Sequence, residues 1–186
     1  MSDSLSAVPL LETPRLRLRT VQRSDLDAIY RLHSDSRAMR YWSFPAWTER
    51  RQANDWFEQR QRLAEREEVW PWAITLNPGD DTLVGIVTLF AVNRGQQRAE
   101  AGYQLDPSHW GQGYAQEALR AALGYGFDAL ELRRVEADID PRNEPSCRLV
   151  ERLGFRREGL MRERWRVNDE ITDTAFYGLL AREFVR

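Results

Sequence analysis

Two glycines, Gly111 and Gly113, separate a stretch with strand periodicity from one with helical periodicity. Before them, residues 99–105 alternate in polarity, which is typical of a half-buried strand. After them the apolar residues recur at helical spacing: Ala115, Ala118, Leu119, Ala122 and Leu123. A glycine turn that opens a helix leaves several backbone N–H groups unpaired, and such groups can bind the phosphates of a ligand. Glycines are also ordinary turn residues, so the spacing by itself is compatible with either role.

The rest of the chain alternates between segments of strand and helix character. Further strands are predicted at 15–20, 69–76, 83–90 and 135–139, and two last strands, 157–167 and 171–180, form a hairpin. Helices are predicted at 24–33, from Thr48, after Gly113, and after Asn143. This mixture indicates an α/β or α+β fold in a single domain of residues 10–186, which follows a flexible tail of residues 1–9.

The composition argues against several classes of protein. The chain has 186 residues, a formal net charge of -2 and a pI near 5.8, whereas general nucleic-acid-binding proteins are usually basic. No apolar run approaches the roughly 18 residues of a membrane span, and residues 1–9 do not resemble a signal peptide. One cysteine, Cys147, excludes an internal disulfide and a cysteine metal cluster, and the presence of only two histidines argues against a histidine-based zinc site. We therefore expect a cytoplasmic protein without metal, membrane or nucleic-acid partners.

The segment WGQGYAQEA, residues 110–118, resembles the acyl-CoA pyrophosphate loop of the GNAT superfamily, the acetyl-CoA-dependent N-acetyltransferases. Trp110 stands where that loop usually has Gln or Arg. In this departure the segment is similar to the branch that acetylates the N-termini of ribosomal proteins. The likeness to that branch extends over residues 99–180 and more loosely over the first half. Its motifs are Thr13-Pro14-Arg15-Leu16, Glu100-Ala101-Gly102-Tyr103, Asn143 with Ser146, Leu153-Gly154-Phe155, Glu158-Gly159, and Asp173 with Tyr177.

The resemblance implies a GNAT fold, with a mixed, splayed central sheet of about six to seven strands flanked by about four helices. It implies that acetyl-CoA binds in the V between two neighbouring strands and that an amine attacks the thioester directly. A backbone N–H on the central strand would then stabilise the oxyanion. A homodimer is one of the open oligomeric arrangements. The expected acetyl-CoA contacts are Tyr103, Gln104, Leu105, Trp110, Gly111, Gln112, Gly113, Tyr114, Ala115, Asn143 and Ser146.

Two carboxylates are candidates for the base that deprotonates the attacking amine. Glu100, on the central strand, would act through water, and its alternative role is that of a solvated strand residue. Glu163, on the late hairpin, is the rival, and its alternative is a surface ion pair with a neighbouring arginine. An α-amine, with a pKa of roughly 8, is easier to deprotonate than a lysine, with a pKa of roughly 10.4, so it needs a weaker base.

The departing thiolate needs a hydrogen-bond or proton donor. Many family members place a tyrosine four residues after the position of Ser146, and here that residue is Val150. Ser146 is the best replacement, because it lies in the first turn of a helix whose dipole favours negative charge. Its alternative is an ordinary N-terminal serine. Asn143 is expected to cap this helix by accepting the N–H of Ser146, and it could also bond the pantetheine amides.

Three aromatic residues, Trp42, Phe44 and Trp47, lie in the segment that usually walls the acceptor site, where they could stack on an acceptor or fill the core. The leading hypothesis is acetylation of a protein or peptide N-terminal α-amine. The alternative acceptor is a small molecule: a polyamine, an amino-acid derivative or an aminoglycoside. A non-catalytic acyl-CoA-binding protein of the same fold is a third hypothesis, and only Val150 supports it.

Overall fold

An eight-stranded sheet forms the centre of the computed structural model, which describes residues 8–185. The strands lie in the order β1-β2-β3-β4-β5-β6-β8-β7, and all neighbours are antiparallel except β5 and β6. Their bounds are β1 Leu11–Glu12, β2 Leu16–Thr20, β3 Val69–Leu76, β4 Gly85–Asn93, β5 Arg98–Leu105, β6 Arg134–Ile139, β7 Arg156–Val167 and β8 Glu170–Leu180. The mixed sheet is confirmed, and the expected six to seven strands are exceeded by the two-residue β1.

Four α-helices pack on the two faces of this sheet, as predicted: α1 (Leu26–Ser34), α2 (Arg51–Glu65), α3 (Tyr114–Asp128) and α4 (Glu144–Arg152). Because side chains alternate along a strand, the core divides into two clusters. One contains α1 and α2 residues such as Ile29 and Phe57, and the other contains α3 and α4 residues such as Leu119 and Val150.

The parallel pair among the described strands, β5 and β6, stays together over three residues and then separates. The pairs are Arg98 with Arg134, Ala99 with Val135, and Glu100 with Glu136. Beyond them β5 continues along β4 to Leu105, while β6 continues along β8 to Ile139. The sheet is therefore splayed at its centre, as the family resemblance implies.

The predicted tail, residues 1–9, lies outside the described residues except for its last two. Val8 is buried, and its carbonyl accepts a hydrogen bond from Thr20 Oγ1 at 3.2 Å. The Pro9 carbonyl accepts from Trp72 Nε1 at 2.8 Å. The packed part of the chain thus includes Val8 and Pro9. Within residues 8–185, none of the helices combines the length and apolar character that crossing a bilayer requires.

Candidate active site

A cavity of about 270 Å³ opens where β5 and β6 separate. Five of the residues expected to act on acetyl-CoA or its acceptor line it: Trp42, Glu100, Tyr103, Asn143 and Ser146. Further lining residues were not expected from the sequence: Tyr41, Ser43, Phe90, Asp138, Asp140, Trp165 and Thr174. The cavity therefore joins both faces of the sheet through the gap between the two strands.

Alternation along β5 divides its side chains between these two faces. Tyr103 lies on the α4 face, where its Oη is 2.5 Å from Ser146 Oγ. Gln104 lies on the α1 face, where its Nε2 donates to the Leu32 carbonyl at 3.0 Å and contacts Met39 Sδ at 3.2 Å. Gln104 was expected to contact acetyl-CoA, but its buried side chain is engaged with α1 and the loop that follows, outside the cavity lining.

The backbone of β5 presents N–H groups to the gap. The Asp106 N–H donates to the Val84 carbonyl at 2.9 Å, so the backbone N–H of Asp106 points toward the β4 side. Backbone N–H groups alternate in direction along a strand. The Gln104 N–H therefore also points toward β4, whereas the N–H groups of Tyr103 and Leu105 point toward the side from which β6 has diverged. The Leu105 side chain is itself in the core. Tyr103 and Leu105 thus offer two main-chain donors where the oxyanion donor was expected.

The glycine turn has the open geometry that an anion site requires. Gly111 and Gly113 have φ of 75° and 80°, and a Cβ on Gly111 would meet nothing within 4 Å. The Glu117 N–H bonds to the Gly113 carbonyl at 3.1 Å, so the N–H groups of residues 114–116 have no acceptor within α3. Trp110, at the other end of the turn, donates from Nε1 to the Leu105 carbonyl at 3.0 Å. Gln112, Tyr114 and Ala115 complete the turn, and unpaired N–H groups at a helix start are the kind of donors that bind anions.

A carboxylate in α3 anchors this turn to the N-terminal strands. Glu117 accepts hydrogen bonds from Thr13 Oγ1 at 2.6 Å and from Arg15 Nε at 2.7 Å. Arg15 also donates to the Gln112 carbonyl at 2.9 Å, and its guanidinium lies 4.9 Å from the Tyr114 ring centroid. Burial raises the pKa of Glu117, but the bonds from Thr13 and Arg15 outweigh it and hold that pKa below its ordinary value. The sequence motif contains both Thr13 and Arg15 but carries no sign of this anchoring role.

The start of α4 places Asn143 and Ser146 beside the cavity. Asn143 Oδ1 accepts the Ser146 N–H at 3.3 Å, which confirms the predicted cap. Ser146 Oγ faces Tyr103, so the hydroxyl lies on the α4 side of the gap. Val150, in the usual tyrosine position, is fully buried and does not line the cavity. Ser146 therefore has no tyrosine from α4 beside it.

The opposite side of the cavity is acidic. Glu100 is half-buried, and within residues 8–185 no side chain or N–H donates a hydrogen bond to its carboxylate. Burial raises the pKa of Glu100, and the negative charges of Glu136 and Asp138 raise it further. Asp138 accepts from Thr174 Oγ1 at 2.6 Å and from Trp165 Nε1 at 3.5 Å. The sequence signal for Asp138 was the alternation of acidic and apolar residues in β6, which puts Asp138 on the same face as Glu100.

Glu163, the rival base, lies away from this cluster. It is exposed, has φ of 53°, and lies in an irregular part of β7. Its N–H donates to Asp173 Oδ1 at 2.8 Å, and its side chain does not line the cavity. The structure therefore brings Glu100 to the gap between the strands and leaves Glu163 on the surface of the hairpin.

Of the three aromatic residues expected at the acceptor site, only Trp42 lines the cavity. Phe44 and Trp47 both stack on His33, with ring centroids 6.3 and 4.1 Å away, and Trp47 is buried. The structure therefore places neither Phe44, which is half-buried, nor Trp47 in the cavity lining, which corrects the expectation for these two residues. Tyr41 from the same loop takes a place at the cavity instead.

Comparison with known proteins agrees with this geometry. Residues 15–156 match the model of the Acetyltransferase (GNAT) domain. The chain belongs to this family and is an acetyl-CoA-dependent N-acetyltransferase.

Individual relatives cover nearly the whole chain. The uncharacterized N-acetyltransferase p20 of Bacillus licheniformis is 32% identical over 174 residues, which are 94% of this chain and 97% of the relative. A spermidine N-acetyltransferase from Vibrio cholerae, crystallised with CoA and spermine, has a TM-score of 0.83 at 23% identity, covering 94% of this chain and all of that one. The ribosomal L7/L12 alpha-N-protein acetyltransferase RimL has a TM-score of 0.83 at 21% identity, covering 94% and 99%. These two structures share the fold.

Proposed function

We propose that this protein moves the acetyl group of acetyl-CoA to a primary amine that enters from the Glu100 side of the cavity. The observation that carries the proposal is the separation of β5 and β6 immediately after Glu100. Through that gap one cavity reaches Ser146 on one face and Glu100 on the other. A thioester on the first face and an amine on the second could meet between the strands.

The donor side supplies binding and charge stabilisation. The N–H groups of the glycine turn would hold the pyrophosphate, and Asn143 would bond the pantetheine arm. The Tyr103 and Leu105 N–H groups would donate to the oxyanion that forms when the amine attacks the thioester carbon. A preorganised donor of this kind lowers a barrier by roughly 3 kcal/mol.

The acceptor side supplies the base. The amine lone pair forms the new C–N bond, and the proton released from the nitrogen passes through water to the Glu100 carboxylate. Its raised pKa makes Glu100 a better proton acceptor than an ordinary carboxylate. When the C–S bond breaks, its electron pair stays on sulfur, where the Ser146 hydroxyl can donate a hydrogen bond.

A protein or peptide N-terminal α-amine is the leading acceptor. Such an amine is about half neutral near pH 8, so it suits a carboxylate base better than a lysine does. The motifs shared with the ribosomal-protein branch support this choice. A polyamine is the second candidate, because Glu100 and Asp138 make the acceptor side acidic and a structural neighbour acts on spermidine.

Mass spectrometry of acetylated products tests the proposal. The protein would be mixed with acetyl-CoA and a panel of free-N-terminus peptides, the same peptides N-terminally blocked but containing lysine, polyamines and aminoglycosides. We expect acetyl on the free α-amines and a large loss of rate in Glu100→Gln, whereas Glu163→Gln should keep its rate. Product on polyamines alone would select the second candidate. Binding of acetyl-CoA without any product would favour the non-catalytic hypothesis.

A further inference from the structure

The Ser146 hydroxyl has a partner whose side chain the mechanism above does not use. Tyr103 Oη lies 2.5 Å from Ser146 Oγ and 3.4 Å from the Ser146 carbonyl oxygen. Tyr103 comes from β5 and Ser146 from α4, so this contact joins the two elements on the donor face of the gap. Position 150, where many family members have a tyrosine, is a buried valine in this chain. No tyrosine from α4 therefore lies beside the hydroxyl.

Tyr103 is well suited to act as a fixed donor. Its ring is half-buried and packs against the core cluster beneath α3 and α4, so the phenol has little freedom to turn away. Burial raises the pKa of Tyr103 to about 12, although the bond to Ser146 opposes this. The phenol therefore keeps its proton throughout the pH range in which an amine acetyltransferase works.

A serine hydroxyl has one proton to donate and two lone pairs with which to accept. If the Tyr103 O–H donates to Ser146 Oγ, the serine proton is free to point at another acceptor. Such chained hydrogen bonds also polarise one another, so a hydroxyl that accepts from a phenol becomes a stronger donor. The thiolate on the departing CoA is the acceptor that would complete the chain.

We propose that Tyr103 is a positioning residue for the leaving group, which donates its phenolic O–H to Ser146 Oγ and so directs the Ser146 O–H at the CoA sulfur. This inference rests on the proposed function. As the C–S bond breaks, the electron pair stays on sulfur and the thiolate accepts the Ser146 hydrogen bond. No proton leaves Tyr103, because a phenol in this environment holds its proton more tightly than a thiol does. The thiolate is later protonated by solvent.

The test compares the binding of CoA with that of desulfo-CoA, which lacks the sulfur, by calorimetry at about pH 9, where part of the thiol is ionised. The wild-type protein should bind CoA more tightly than desulfo-CoA. In Tyr103→Phe and in Ser146→Ala this preference should fall about 10- to 150-fold, the effect of losing a hydrogen bond to a charged group. The double variant should lose no more than Ser146→Ala alone. Tyr125→Phe, which removes a hydroxyl from α3 outside the cavity lining, should keep the preference.

A second readout is the thiol pKa of bound CoA, followed by ultraviolet absorbance of the thiolate during a pH titration. It should rise in both Tyr103→Phe and Ser146→Ala. Tyr103→Phe with an unchanged preference and an unchanged thiol pKa would overturn the inference. Equal losses of CoA and desulfo-CoA affinity in that variant would also overturn it, because Tyr103 would then only shape the pocket. Wild-type protein that binds both ligands equally would refute this inference alone, whereas no binding of either would refute the proposed function as well.

Discussion

Acidification should destabilise the fold through one buried histidine. The His33 ring is 4% exposed and stacks on Trp47, with ring centroids 4.1 Å apart. Its Nδ1 lies 2.9 Å from the Ile29 carbonyl. Burial lowers the pKa of His33 from 6.5 to about 4, partly opposed by the bond to Ile29, and the positive charge of Arg60 lowers it further. His33 is therefore neutral in the folded protein at pH values where it is protonated in the unfolded chain.

The size of the effect follows from the difference between the two pKa values. Because the folded-state pKa is below the unfolded-state value, the unfolded chain binds the proton first. The contribution of His33 to stability is complete above pH 6.5 and is lost as the pH falls toward about 4. Each pKa unit corresponds to about 1.4 kcal/mol, so the full loss amounts to about 3 kcal/mol. That is a large share of the stability of a typical domain.

Urea unfolding at pH 7 and pH 4.5 would measure this loss. Carboxylates titrate over the same range, so the informative quantity is the difference between variants. In His33→Gln the decrease in unfolding free energy between the two pH values should be smaller than in wild type by about 2 to 3 kcal/mol. His109→Gln, which removes the other histidine of the chain, should show the wild-type decrease. If His33→Gln and wild type lost stability equally, the histidine would not be buried and neutral as described.

Two further predictions concern the active site. Asp138→Asn removes a negative charge that raises the pKa of Glu100, so the acidic limb of the pH profile of kcat/KM should move to lower pH; an unmoved limb would mean that another group titrates there. Arg15→Ala should weaken acetyl-CoA binding about 5- to 30-fold in calorimetry, because the glycine turn loses its anchor at Glu117. The control is Arg17→Ala, two residues further on in β2, where Arg17 makes an exposed ion pair with Glu12; it should change acetyl-CoA binding by less than about 2-fold, and equal effects of both substitutions would contradict the anchoring role.

Much of the fold is predictable because its elements carry strong local signals. The alternation in β5 and the glycine turn before α3 locate both elements within a residue or two. β1 has only two residues, Leu11–Glu12, and so has no period to detect. α2 starts at Arg51, later than Thr48 predicts: no side chain caps the helix, and the N–H groups of Thr48 and Glu49 instead donate to the Gln52 side chain.

The acceptor side of the site is harder to predict than the donor side. Ser146 and Asn143 lie three residues apart on one helix, so a local motif contains both. Asp138, Trp165 and Thr174 come from β6, β7 and β8, and they meet only because of the strand order β6-β8-β7. No short segment encodes that order. An acidic or aromatic residue on a strand therefore carries no sign of which neighbour it will face.

The register of β5 against β6 determines what the site can do. The last pair is Glu100 with Glu136, so the N–H groups of Tyr103 and Leu105 have no β6 carbonyl opposite them. Had the strands stayed paired for two more residues on each side, ladder bonds would occupy the edge of β5 and the gap would close. Unpaired main-chain donors inside a sheet are normally costly. Here they face a cavity with Ser146 at one side and Glu100 at the other, where a thioester oxygen could accept the hydrogen bonds that the sheet leaves unmade.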